Sequence, residues 1–490
     1  MAIFLKPAFI RRCLFSRCTL LAVGFLAPLA AFAHSAERGL VMLLPTKFMI
    51  AGGTTAVGVT FMFLALVPGH RLQRMTNARI RLFSLGRISP FFPSLMSFGF
   101  LLYLLAAGIL GTTDPLRNPL TLTIWTLWWV GFTLLQFFVG DLWNMCNPWY
   151  APLRILRWML GNRPAPLAWP ERLGYLPAIV LFFGFAWFEL VYPAPEDPWI
   201  LAMAVLIYVL ITLAGMLLFG YREWMQRGES FAIFFRLVGD CSPLIRTCSD
   251  DRRVTFFLGW PGQGFLERKP MPITGVLFVL LTLSASSFDG LAETFTWLGL
   301  MGVNPLEHPG RSALVGMNSL GLLGAFAVLS TLYLFCAWLG SVLAARVGVP
   351  ISGIAAFSGR LVYSIVPIAV AFHIAHYLTL LLINGQYALV AFTDPFNLGW
   401  NLFGLADDFH VTVSFLNNIH DVSLIWVFQT TVIVLGHVIG VTMAHLIALS
   451  VLARPAEPVR AATRSQIPMA MLMVGYTAFG LWLLSTATVG

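Results

Sequence analysis

Four histidines and an aspartate lie inside segments that are otherwise almost wholly apolar. His373 and His376 stand three apart in AFHIAHYLTLLLINGQ, and His437 and His445 stand eight apart in GHVIGVTMAHLIAL. Asp289 lies in SSFDGLAETFTW, with Glu293 one helical turn beyond it. Ionisable groups are costly in hydrocarbon and usually face a cavity, a partner or a metal. Imidazole is the commonest metal ligand, and the Asp289 carboxylate would complete a set for a divalent metal such as zinc. With one position open, such a set activates water for hydrolysis. Helical spacing puts His373 with His376, and Asp289 with Glu293, on shared faces. His437 and His445 diverge by about 80°. The expected catalytic residues are Asp289, His376 and His437, and the expected metal ligands are His373, His376, His437, Asp289 and His445. Plainer readings stand beside these: hydrogen-bonded core histidines, His445 at an interface, Glu293 as a solvated carboxylate, or a histidine pair holding haem. The HExxH zinc signature is absent.

These residues must be positioned by membrane helices. The 490 residues are 58% hydrophobic and only 10% charged, with a mean hydropathy of +0.82. So few charges cannot clothe that much apolar surface in water, so lipid must be part of the solvent. A formal charge of +9 would suggest nucleic acid in a soluble protein. Here the arginines gather between apolar runs, which is a topology signal. At roughly 20 apolar residues per span, ten segments qualify. They are Phe48–Val67, Phe91–Leu110, Thr121–Val139, Leu173–Tyr192, Trp199–Phe219, Ile273–Trp297, Ala313–Ala344, Leu361–Ile383, Val422–Leu446 and Met469–Ser485. The expected fold is an all-α polytopic transmembrane bundle forming a single domain over 34–490. No internal repeat supports an inverted-repeat transporter.

Arg71, Arg74, Arg79, Arg81 and Arg87 follow the first span, and Arg154, Arg157, Arg163 and Arg172 follow the third. The connection at 220–271 holds seven arginines and Lys269. With ten spans all of these lie on one side, which is therefore cytoplasmic. The N-terminus agrees. Lys6, Arg11, Arg12 and Arg17 precede the apolar stretch Cys18–Leu29 and the small-x-small site Ala31-Phe32-Ala33, the pattern of a secretory signal peptide over 1–33. Cleavage there exposes His34, whose amine and imidazole suit copper, although an ordinary terminal residue is the simpler reading. The loop 384–421 has no Lys or Arg and interleaves aromatic with acidic residues. It is expected to be an ordered periplasmic cap.

Asp141 and Glu189 read as interfacial caps beside Trp143 and Tyr192. Cys146, Cys241, Cys248 and Cys336 lack any metal spacing and receive no role. Gly436, Gly440 and Ala444 form a small-residue stripe that lets another helix approach closely. There is no Walker loop, GxSxG elbow or GxGxxG.

The stretches AHSAERGLVMLLPT, GDLWNMCNPW, FAWFELVYP, SSFDG, AFHIAHYLTLLLINGQ, GWNLFG and GHVIGVTMAHLIAL resemble, in that order, bacterial integral membrane proteins called fenitrothion hydrolases. The resemblance runs over most of the mature chain. It implies hydrolysis of organophosphorus triesters at the P–O–aryl bond, in the bacterial inner membrane, with no agreed catalytic residues to carry over. The expectation is a periplasm-facing hydrolase that takes a hydrophobic small molecule from the bilayer and uses a metal- or histidine-activated water. The alternative is a transporter, or a metal- or haem-handling protein, built on the same buried residues.

Overall fold

Hydrocarbon offers the backbone no hydrogen-bond partner, so a spanning segment must satisfy its N–H and C=O groups internally as a helix. The protein, seen in a computed structural model, is described over residues 44–86, 88–248, 253–304, 310–349, 351, 353–404, 409–452 and 458–486. The signal segment 1–33, His34, Asp407 and Asp408 lie outside the described residues. Among the described residues, ten helices are long and apolar enough to cross a membrane. The first five are α1 (Thr46–Leu66), α2 (Phe91–Leu110), α3 (Pro119–Val139), α4 (Glu171–Leu190) and α5 (Pro198–Phe219). A shorter helix, α6 (Ser230–Asp240), comes next. The remaining five are α7 (Ile273–Ala292), α8 (Arg311–Ala345), α9 (Ile354–Ala391), α10 (Ile419–Val451) and α11 (Arg460–Ser485). The chain is an all-α multi-pass membrane protein.

The boundaries follow local chemistry. Helix α7 stops at Ala292, short of the expected Trp297, because Thr294 starts a separate turn by accepting the Trp297 N–H on its hydroxyl at 3.1 Å. Helix α8 has 35 residues, roughly 50 Å at 1.5 Å per residue, and so outruns a hydrocarbon core of about 30 Å. Within α3 the stretch Thr123–Phe132 is π-helical, a widening often found at functional sites.

Two sets of helices differ in surroundings. Most of α7, α9 and α10 is buried by other helices, whereas α1 turns most of its side chains outward. The small-residue stripe on α10 does what its spacing predicts. A Cβ on Gly436 would strike Ala371 and the Pro367 carbonyl, and one on Gly440 would lie 2.8 Å from the Ser364 carbonyl. Helices α9 and α10 therefore touch backbone to backbone.

Outside the spans lies a small antiparallel sheet, ordered β1-β3-β2, of β1 (Arg79–Gly86), β2 (Leu244–Cys248) and β3 (Arg253–Gly259). Strand β1 precedes α2, whereas β2 and β3 follow α5. Four spans separate them, so both connections emerge at the same end of the bundle, as the arginine distribution requires. The connection at 220–271 contains a helix packed into the bundle. Helix α6 is buried along nearly its whole length, with Phe231 against Trp128 and Phe234 against Trp129.

Candidate active site

Helix α7 carries Asp289 near the end opposite the sheet, and α9 brings His376 and Tyr377 to it. His376 Nε2 donates to Asp289 Oδ2 at 2.8 Å, and the Tyr377 hydroxyl donates to the same oxygen at 2.8 Å. The hydroxyl also lies 3.1 Å from Oε1 of Glu189 on α4. A phenol has one proton to give, and here two carboxylates stand within its reach. Both contacts are satisfied together only if a further proton is held among the three groups. Arg311, at the start of α8, donates to the Glu189 carbonyl at 2.9 Å, and its charge reaches both carboxylates.

The pair is sheltered but not sealed, with the His376 and Asp289 side chains 13% and 16% exposed. Because Nε2 is committed to Asp289, Nδ1 is the ring nitrogen left to exchange a proton. It is turned toward Gly290, which has no side chain to shield it. The imidazole also packs edge-on against Tyr377, with centroids 4.7 Å apart. A carboxylate that fixes one imidazole nitrogen and leaves the other free is the arrangement of a general base and its orienting partner.

The other histidines go elsewhere. His373 donates from Nε2 to the Trp129 carbonyl in the π-helical stretch, 2.9 Å away, and lies edge-on to that indole. His437 donates from Nδ1 to the Ile433 carbonyl of its own helix at 2.9 Å. His445 is fully buried, with neither ring nitrogen hydrogen-bonded. Among the described residues, no three His, Cys, Asp or Glu side chains are grouped so as to hold a metal ion. The five-ligand set His373, His376, His437, Asp289 and His445 is therefore corrected to one joined pair, His376 with Asp289. The cause is geometric. Contact at Gly436 and Gly440 closes the space between α9 and α10, and His437 is bonded to its own helix backbone. The expected catalytic role of His437 loses its geometric basis for the same reason.

Three participants escaped the sequence reading. Glu189 is not an interfacial cap but the second carboxylate of the site, whereas Glu293 sits exposed at the end of α7. The signal for Glu189 is available, since it is the lone acid of the apolar run Leu173–Leu190. Tyr377 adjoins His376 in the sequence but has no periodicity of its own. Arg311 is drawn in only by the folding of α8 against α4.

A second buried acid lies at the other end. Glu229 accepts the Phe231 N–H at 3.3 Å, the Ala232 N–H and the Tyr208 hydroxyl, so it caps α6. Burial pushes its carboxyl up to about 7, against the pull of the Tyr208 hydroxyl and the two backbone donors. Between the two acids lies an aromatic layer that includes Trp129, Phe182, Phe231 and Phe234.

The loop 384–421 is partly helical, because α9 continues to Ala391. Beyond it, Asp394 accepts the backbone N–H groups of Leu398 and Gly399, and Phe392 and Phe396 pack on Phe100 and Tyr103 of α2. No protein-family model matches the chain, and no match is found among curated proteins or solved structures.

Proposed function

We propose that the protein is a membrane-embedded hydrolase in which His376, held by Asp289, activates a water molecule. The observation that carries this reading is the 2.8 Å contact between His376 Nε2 and Asp289 Oδ2, in a pair still partly open to its surroundings. Water gives a proton to His376 Nδ1 as its oxygen attacks the electrophilic centre. Asp289 stabilises the imidazolium that forms, and Tyr377 and Glu189 hold a proton beside it for the leaving group. The resemblance to fenitrothion hydrolases supplies the substrate class, an organophosphorus triester. Its phosphorus accepts the water oxygen and its P–O–aryl bond breaks to release the aryl alcohol. Such a triester dissolves in the bilayer and reaches the site from there. The arginine distribution and the signal-like N-terminus support a site on the periplasmic side of a bacterial inner membrane. No step is assigned to zinc or another metal, because the expected ligands do not come together. The aromatic layer below His373 disfavours the transporter alternative, which needs a polar path to the far side.

The test is nitrophenolate release from a dialkyl nitrophenyl phosphate by the purified full-length chain in lipid, with and without chelator. Turnover that survives chelation supports the reading. Turnover that vanishes on chelation and returns with zinc overturns the histidine-activated mechanism, and no turnover at all overturns the substrate class.

A further inference from the structure

The three-stranded sheet has two unlike faces. Its register sets Ile80 beside Leu258 and Leu244, Phe83 beside Phe256, and Leu85 beside Val254. Side chains alternate along a strand, so these apolar residues project from one face, with Arg246 beside Phe256 at the β2 edge of that face, its guanidinium turned toward Gly140 of the bundle. The opposite face carries Arg81 and Ile245 on either side of Phe257, Ser84 beside Thr255 and Thr247, and Arg253. A 2.9 Å hydrogen bond between the Ser84 and Thr255 hydroxyls joins residues of that second face. The irregularity between Arg81 and Phe83 is what keeps the faces distinct. One extra residue in β1 re-phases the alternation, so Phe83 falls with Ile80 rather than with Arg81.

Along its β1 edge the apolar face is uncovered. Ile80 is 64% exposed, Leu85 51% and Phe83 48%. A contiguous apolar surface of this kind marks a site of interaction, and its position indicates the partner. Only four residues, 87–90, separate β1 from the span α2, a reach of at most about 14 Å. Exposed Ile88, Phe92 and Met96 carry the same apolar surface from the sheet onto the lipid-facing side of α2. The sheet face is thus continuous with the bilayer-facing surface of the bundle.

We infer that the sheet is a membrane-surface float, its apolar face immersed in the headgroup and acyl boundary of the adjoining leaflet and its hydroxyl- and arginine-bearing face turned to water. It couples the α1–α2 connection to the α5–α7 connection across that leaflet. The partner is the lipid surface, not a second chain. This inference does not depend on the hydrolase reading.

Nitroxide labels at Phe83→Cys and, on the opposite face, Thr247→Cys test it in the full-length chain with its native cysteines replaced. The chain is reconstituted in vesicles of phosphatidylethanolamine and phosphatidylglycerol. Collision rates with oxygen, which enters hydrocarbon, and with a water-soluble nickel chelate are then compared. The expected oxygen-to-nickel ratio is several-fold higher at 83 than at 247, with Leu85→Cys repeating the result for position 83. Equal nickel access at both faces overturns the inference. So does spin–spin broadening at 83 that disappears on dilution with unlabelled chain, because it identifies a second copy as the partner.

Discussion

His376 and His373 are three residues apart on one helix, with side chains of the same chemistry, yet they have opposite fates. His376 meets a carboxylate from another helix and keeps a nitrogen free toward a partly open site. His373 meets a backbone carbonyl, is buried among Trp129, Phe234 and Tyr377, and has nothing to exchange a proton with. Neither the imidazole nor its depth in the membrane makes a site. What distinguishes the two is the partner, charged and orienting for His376, neutral and structural for His373.

Four substitutions probe this contrast. The largest effect is expected for Asp289→Asn, which keeps the shape of the pair but not its charge. Triester turnover should fall by about 10²–10⁴-fold, the range for general acid–base catalysis, measured on protein whose detergent-extracted yield matches the parent. Next comes Glu229→Gln, a buried acid that serves structure. Its folded carboxyl titrates near 7, above the ordinary 4.5. Its stabilising contribution is thus complete below pH 4.5 and is lost as pH rises through 7, about 3 kcal/mol in all. Thermal unfolding in detergent should show a lower midpoint at pH 8 than at pH 5, and the variant should flatten that slope. Tyr377→Phe removes the proton bridge between Asp289 and Glu189 but leaves the pair intact. A drop of about tenfold in kcat is expected, the size of one charge-assisted hydrogen bond, with KM little changed. The smallest effect is expected for His437→Asn. It keeps a donor for the Ile433 carbonyl, and turnover should remain within about twofold.

Much of the scaffold was legible because spanning helices obey a one-dimensional rule. The apolar run Phe91–Leu110 is read off the sequence with the bounds it has in the structure, and the Gly436 and Gly440 stripe announces a close helix contact. Helix α6 was not legible. Its apolar core FAIFF is too short to span and is flanked by arginines, so it reads as part of a polar connection. The site was half legible. An acid and a histidine inside spans are conspicuous, and His376 with Asp289 were both expected there. Which of four histidines that acid selects depends on contacts between helices far apart in the chain, and so does the recruitment of Glu189 and Arg311. The five-ligand metal set does not assemble because residues that share a helical face need not point to one place. His373 and His376 are close neighbours on the helix surface, yet the small angle between them is enough to send one toward α3 and the other toward α7.

Nitrophenolate release by His376→Gln and His373→Gln, measured side by side in vesicles carrying equal amounts of folded chain, separates the two histidines. Loss of at least a hundredfold in the first, with the second staying within tenfold of the parent, is the result expected. Equal losses in both, or a greater loss at His373, would contradict the assignment of His376 and Asp289 as the working pair.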